Sequence, residues 1–150
     1  MNFEATIRDL LARGVAVRFR ASGDSMHPTI RCGEHIHLVP LQLSTLARGQ
    51  VVLARQERGL TAHRVVRVER TGGRVVGITT RGDNALTSDP IILLGALLGR
   101  VERVERNGVA AAVSPVAPPR LHVFARRMAR LVRRASRLSS PPSILVRSNP

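Results

Sequence analysis

Three short segments hold hydroxyl, imidazole and carboxylate side chains that strand packing does not explain. They are residues 22–28 (Ser-Gly-Asp-Ser-Met-His-Pro), residues 62–66 (Ala-His-Arg-Val-Val) and residues 80–84 (Thr-Arg-Gly-Asp-Asn), the last followed by Asp89. A serine hydroxyl is a poor nucleophile until a base removes its proton, and imidazole suits that task near neutral pH. A carboxylate can fix the imidazole tautomer and stabilise the imidazolium. Together the segments supply the groups needed for nucleophilic catalysis.

Each of these residues also has a structural alternative. Ser25 fits the N-cap of a short helix beginning at Met26, and His63 fits a half-buried strand histidine. Asp83 fits a loop cap and Asp89 fits a turn residue, which are the commoner roles of aspartate in loops. The combination and order of the three segments, rather than any one of them, favours catalysis.

The elements that must position these residues are mainly β-strands. Val-rich stretches with alternating polarity, separated by Gly-containing turns, predict hairpins at Thr71-Gly72-Gly73 and at Asn107-Gly108. A short amphipathic helix is expected at the start of the chain. The predicted strands are residues 15–20, 35–39, 50–55, 60–69, 74–80, 101–106 and 109–113, and residues 81–90 are predicted to form a loop.

The order of the three segments resembles one family of proteins. Residues 23–28 look like the nucleophile box of type I signal peptidases and of the related LexA-like self-cleaving proteases, and the Ser-Gly-x-Ser-Met spacing from Ser22 resembles the LexA type. Residues 63–66 are similar to the His-Arg-Val-Ile box of the endoplasmic-reticulum and archaeal signal peptidases. Residues 81–84, followed by Asp89, resemble that type's Gly-Asp-Asn-Asn box and its following Asp. The resemblance covers residues 15–104.

The resemblance implies a signal-peptidase/LexA-like β-fold and a role for each matching residue. It implies Ser25 as nucleophile, His63 as general base and Asp89 as the carboxylate that orients His63, with no cofactor. Asp83 would support the site through hydrogen bonds and charge, and which aspartate pairs with His63 is left open. The Ser25 backbone N–H and a group from Ser22 or Gly23 would stabilise the oxyanion. The remaining substrate-side residues of the nucleophile box are Met26 and Pro28.

The composition agrees with a His-dependent serine enzyme. All 24 basic residues are Arg, so a Ser–Lys dyad and Schiff-base chemistry are excluded. The chain has no Trp or Tyr and three Phe, which makes a base-stacking nucleic-acid module unexpected. Its single cysteine, Cys32, excludes an internal disulfide and a Cys-rich zinc site. The pair His35 and His37 shares one strand face without an evident third metal ligand, so a structural role is favoured.

Charge divides the chain into a body and a basic C-terminal segment. Residues 119–150 hold eight of the 24 Arg and no acid, whereas the first 118 residues carry a net charge of +6. We expect a helix over 1–14, a catalytic β-domain over 15–118, a basic amphipathic helix over 119–140 and a disordered tail over 141–150. An apolar stripe at helical spacing runs through the third unit: Leu121, Phe124, Met128, Leu131, Ala135 and Leu138.

The basic helix suggests a partner for the protein. Its pattern is typical of a helix lying on an anionic membrane, here through residues 120–138. Docking on the body or on another copy, and binding of nucleic acid, are the alternatives, and no specific nucleic acid is expected. No apolar run approaches the ~20 residues that span a bilayer, so a cytoplasmic protein, peripheral at the inner membrane face, is expected.

Two functions from different classes follow. The first is a serine endopeptidase that cleaves a peptide or protein precursor by acyl transfer through Ser25. The second is a non-catalytic β-domain that holds a membrane or an acidic partner through its Arg-rich helix. The three-segment set favours the enzyme, because a mere scaffold has no need of it.

Overall fold

The fold is one antiparallel β-sheet with a helix at its start, seen in a computed structural model that describes residues 2–118. The sequence-based prediction of a mainly β protein is confirmed. The expected helix over 119–140 and the tail over 141–150 lie outside the described residues. The elements are α1 (Phe3–Ala12), β1 (Val17–Arg20), β2 (His35–Val39), β3 (Val51–Gln56), β4 (Gly59–Thr71), β5 (Arg74–Arg81), β6 (Ile92–Leu93), β7 (Leu97–Arg106) and β8 (Val109–Ala112).

The strand order is β1-β2-β7-β3-β4-β5-β6, and β8 pairs with β7. The two predicted hairpins are confirmed, and both have the backbone that a tight two-residue turn requires. Gly72 and Gly73 have φ of 56° and 79°, and Asn107 and Gly108 have φ of 52° and 79°. Positive φ at both central positions matches the right-handed twist of the paired strands, and Gly and Asn adopt it at low cost.

The sheet is buried on both of its faces at β3. Val51 and Leu53 pack in one cluster with Ile7 and Leu11 of α1, whereas Val52 and Ala54 pack in a second cluster. Because successive side chains of a strand point to opposite faces, this alternation requires a core on each side. A strand buried on both faces gives an almost continuous apolar sequence, as residues 51–54 do.

The long strand β4 changes partner along its length. Its first half pairs with β3, from Gly59 to Arg64, and its second half pairs with β5, from Arg64 to Thr71. A register shift follows Val65, which is typical of a bulge that bends a strand. His63 therefore lies where the sheet passes from β3 to β5, close to the loop that leaves the end of β5.

Among residues 2–118, no helix has the length and apolar character needed to cross a membrane.

Candidate active site

The site is built where the loop between β1 and β2 meets the loop between β5 and β6. The first loop carries Ser25 and the second carries Asp89. The backbone N–H of Asn84 donates to the Ser25 carbonyl at 2.8 Å, and its side-chain amide donates to the Asp24 carbonyl at 2.9 Å. These bonds tie the two loops together beside His63.

Ser25, His63 and Asp89 form a continuous hydrogen-bonded chain. The Nε2 atom of His63 lies 2.9 Å from the Oγ atom of Ser25, and its Nδ1 atom lies 2.7 Å from Oδ2 of Asp89. Both distances are within the reach required of a nucleophile, a base and its orienting carboxylate. Ser25 is exposed, whereas His63 is buried. The hydroxyl is therefore open to a substrate, while the imidazole lies in a fixed position beneath it.

Asp89 receives two further hydrogen bonds that the sequence did not predict. Thr80, which is buried, donates its hydroxyl to Oδ2 of Asp89 at 2.6 Å. The side-chain amide of Gln56 donates to the same oxygen at 3.5 Å. Hydrogen bonds to a carboxylate fix its orientation. Thr80 and Gln56 therefore hold the carboxylate against His63.

Asp83 is not part of the hydrogen-bonded chain of Ser25, His63 and Asp89, because its carboxylate is bound to Arg64. The guanidinium donates from Nε to Oδ1 at 2.8 Å and from Nη2 to Oδ2 at 2.7 Å. Thr29 donates to Oδ2 as well. The side chains of Arg64 and Asp83 are almost completely buried, being 4% and 2% exposed. Asp83 thus holds the loops in place, and Asp89 is the aspartate that contacts His63.

Arg64 is the residue with the largest supporting role that sequence reasoning missed. Its Nη1 atom donates to the carbonyls of Gly49 and Ser114, each at 2.7 Å. The guanidinium therefore joins β4 to segments far away in sequence. The signal in the sequence was its position between His63 and the apolar pair Val65-Val66, which does not identify its partners.

Gly82 is required by the close approach of the two loops. A Cβ atom at this position would lie 2.5 Å from the Ser25 carbonyl oxygen and 3.1 Å from Nε2 of His63. The first distance is far below any normal contact, so a side chain would push the Ser25 loop away from His63. This close packing gives a physical reason for a glycine directly before Asp83.

The remaining predicted residues of the nucleophile box have different surroundings. Ser22 and Gly23 line a small pocket of about 130 Å³ together with Ser25, and Met26 forms its buried wall. The sulfur of Met26 also accepts the backbone N–H of Asp83 at 3.4 Å. A larger cleft is lined by Ser25, His63 and Asp89. Pro28 lines neither the small pocket nor this cleft, and its carbonyl accepts a hydrogen bond from Arg106 at 3.3 Å.

The alternative helix N-cap at Ser25 is wrong, because no helix begins there. Residues 24–29 form consecutive turns, in which the backbone N–H of His27 bonds to the Asp24 carbonyl and that of Ile30 bonds to the Met26 carbonyl. The Ser25 hydroxyl is directed to His63 instead.

His35 and His37 lie on a polar face of the sheet rather than near Ser25. The Nε2 atom of His37 is 3.3 Å from Glu105, which also accepts two bonds from Arg18, at 2.9 and 3.0 Å. The Arg18 hydrogen bonds lower the pKa of Glu105 to about 2. Within residues 2–118, no group of three His, Cys, Asp or Glu side chains is arranged to hold a metal ion.

Comparison with known proteins gave no relative for this chain: no family model matches it, and no curated protein does. The chemistry of the site is therefore inferred from the geometry of its own residues.

Proposed function

We propose that the protein is a serine endopeptidase, similar to signal peptidases that use a histidine base, and that it cleaves a peptide or protein precursor through an acyl-enzyme at Ser25. The observation that carries this proposal is the hydrogen-bonded chain from Ser25 to His63 to Asp89, with its 2.9 and 2.7 Å distances. These three residues come from two loops and one strand that are up to 64 positions apart in a sequence of 150 residues.

In the first half of the reaction, His63 removes the proton of the Ser25 hydroxyl as its oxygen attacks the scissile carbonyl. The Asp89 carboxylate accepts the Nδ1 proton of His63 in a hydrogen bond, which leaves Nε2 free to act as the base. The imidazolium that forms is stabilised by the same carboxylate. His63 then donates its proton to the leaving amine, and the carbonyl carbon stays bound to Ser25.

In the second half, a water molecule replaces the amine. His63 removes a proton from that water as it attacks the acyl carbon, and Ser25 leaves with the proton returned by the imidazole. The negative oxygen of each tetrahedral intermediate would be stabilised by the Ser25 backbone N–H and a group from Ser22 or Gly23, which are next to Ser25 in the same loop.

The acyl side of the substrate is expected to end in a small residue. The pocket that holds Ser22, Gly23 and Ser25 has a volume of about 130 Å³, and Ile30 and Leu60 also line it. A small residue before the cut is what the resemblance to signal peptidases implies, and the pocket is where its side chain would lie.

The experiment compares three forms of the full chain: the original, Ser25→Ala and the control Ser44→Ala. Ser44 is an exposed serine in the 3-10 turn Leu43–Thr45. Mass spectrometry of peptides from cells carrying each form should reveal fragments that require Ser25 and are kept with Ser44→Ala. Identical peptide sets in all three forms would contradict the proposal.

We also propose that the protein is cytoplasmic and peripheral on an anionic membrane through residues 120–138. This proposal is supported by the apolar stripe in that segment of the sequence and by the Arg residues that lie between its apolar positions. Co-sedimentation with vesicles of mixed anionic and neutral lipids should fall as salt increases. A binding domain without catalysis would sediment in the same way but would give no fragments that depend on Ser25.

A further inference from the structure

Two depressions meet at Ser25, and they differ in size and in what lines them. The small pocket next to Ser22 has a volume of about 130 Å³, and the cleft next to His63 and Asp89 has about 720 Å³. Ser25 and Thr61 line both of them. A peptide that lies across Ser25 would therefore place its two ends in spaces of very different capacity.

The position of His63 indicates which end belongs in the larger cleft. His63 and Asp89 line the 720 Å³ cleft and do not line the small pocket. The general base must return its proton to the nitrogen of the leaving group, so that nitrogen has to lie on the side of the imidazole. The residues after the scissile bond consequently extend into the larger cleft.

One wall of this cleft presents large apolar side chains to solvent, whereas polar side chains line the rest of it, among them Arg55, Glu57 and Arg58. Ile91 and Leu93, on either side of buried Ile92, are 57% and 68% exposed. Pro90 precedes them, directly after Asp89, and Ala96 adds further apolar surface. Clustered exposed apolar side chains at a concave site commonly mark a binding surface. Here the apolar wall begins one residue after a member of the hydrogen-bonded chain.

We propose that the 720 Å³ cleft is a leaving-group subsite and that it selects substrates with a large apolar residue, such as leucine or phenylalanine, directly after the scissile bond. This inference rests on the proposed function, because it uses Ser25 and His63 in their catalytic roles. The occupant is the substrate chain itself, since the cleft is continuous with the nucleophile and the base. The enzyme then cuts between a small residue and a large apolar one.

The test uses the full chain and measures how an acyl-enzyme divides between water and added amines. The probe is the thiobenzyl ester of N-acetyl-L-alanine, whose acyl group is small enough for the pocket of Ser22. An amine that binds in the cleft attacks the acyl carbon, and the bond from that carbon to Ser25 Oγ breaks. The amine proton passes through His63 to Ser25 Oγ, so the products are an amide and free enzyme.

The amines are alaninamide and leucinamide, whose amino groups have similar basicity, so that a difference between them reports the side chain. We expect leucinamide to capture the acyl group about tenfold more efficiently than alaninamide, a usual ratio for apolar side chains of different size in an apolar site. The ratio is measured within each variant, so changes in acylation rate cancel.

Leu93→Asp should reduce the preference for leucinamide to about twofold or less, since contact with the leucine side chain would remove water from an exposed carboxylate, which is unfavourable. Ile91→Asp gives a second, independent substitution in the same wall. Leu43→Asp is the matched control, because Leu43 is also an exposed leucine (42%) but lies in the 3-10 turn Leu43–Thr45 and lines neither depression. This control should keep the original ratio.

The outcomes separate the two proposals. Ester hydrolysis that requires Ser25, with equal capture of both amines, would overturn the leaving-group subsite and leave the protease intact. A leucinamide preference that survives both Asp substitutions would overturn it too, because the apolar wall would then not contact the leaving group. Ester hydrolysis that is unaffected by Ser25→Ala would overturn the protease, and the subsite with it.

Discussion

The buried ion pair between Arg64 and Asp83 gives a quantitative prediction for the variant Asp83→Asn. The substitution keeps the shape of the side chain but removes its charge. The Arg64 guanidinium, 4% exposed, then remains buried without a counter-charge. Breaking one side of a buried pair costs about 3 to 5 kcal/mol, since the remaining charge keeps its desolvation penalty. Because small domains have total stabilities of about 5 to 15 kcal/mol, this loss is a large part of the whole.

Urea unfolding followed by far-ultraviolet circular dichroism measures this loss; intrinsic Trp or Tyr fluorescence cannot, since the chain holds neither residue. We expect the free energy of unfolding to fall by about 3 to 5 kcal/mol and the melting temperature by about 10 to 20 °C. The control is Glu102→Gln, which removes the ion pair between Glu102 and Arg100. The side chains of this pair are far more exposed, Arg100 by 35% and Glu102 by 44%. Exposed pairs contribute about 0 to 1 kcal/mol, so little change is expected.

A double-mutant cycle completes this test. If the cost of Asp83→Asn comes from the uncompensated guanidinium, the double variant with Arg64→Met should lose much less free energy of unfolding than the two single variants lose in sum. A loss for Asp83→Asn no larger than that of Glu102→Gln would refute the reasoning. Additive single losses would refute it as well, because they would mean that the two side chains act independently.

Three further predictions concern positioning, packing and acid stability. Thr80→Val should lower kcat about tenfold with little change in KM, because the Asp89 carboxylate loses its 2.6 Å hydrogen bond; Thr80→Ser should restore the rate, and equal losses in both variants would contradict the hydroxyl's role. Gly82→Ala should lower kcat about a hundredfold by displacing the Ser25 loop, whereas Gly95→Ala, where a Cβ meets nothing within 4 Å, should not; equal activities would contradict the packing constraint. The pKa of Glu105 falls from 4.5 to about 2 in the folded protein, so its stabilising effect is complete above pH 4.5 and is lost as pH decreases toward 2. Glu105→Gln should therefore flatten the decline of the urea midpoint over that range, and an unchanged decline would contradict the ion pair with Arg18.

The sequence predicted most strands because their signals are local. The strand over 35–39 matches β2, and both glycine-containing hairpins lie where they were expected. By contrast, β7 begins at Leu97, four residues before its predicted start. Its first residues pair with β3 in the interior, so Leu97 and Leu98 lack the alternation that marks a half-exposed strand. The two-residue strand β6 is too short to give any periodic signal.

The candidate site was partly predictable for a related reason. Ser25, His63 and Asp89 stood out because hydroxyl, imidazole and carboxylate groups interrupt apolar or turn-rich segments. The supporting contacts could not be recognised in the sequence, because they depend on residues that meet only after folding. Arg64 lies 19 positions before Asp83, and Thr80, near the end of β5, lies nine positions before Asp89. Neither spacing corresponds to a helix turn or a tight loop, so no local pattern could have paired them.

The most direct test of the central claim is the identity and rate of the covalent adduct formed by a serine-directed fluorophosphonate. The full chain is treated, digested and mapped by mass spectrometry, together with Ser25→Ala and His63→Gln. We predict that the adduct lies on Ser25, is absent from Ser25→Ala, and forms at least about a hundredfold more slowly in His63→Gln, a usual contribution of general base catalysis. An adduct on another serine, or a labelling rate at Ser25 that does not depend on His63, would contradict the account.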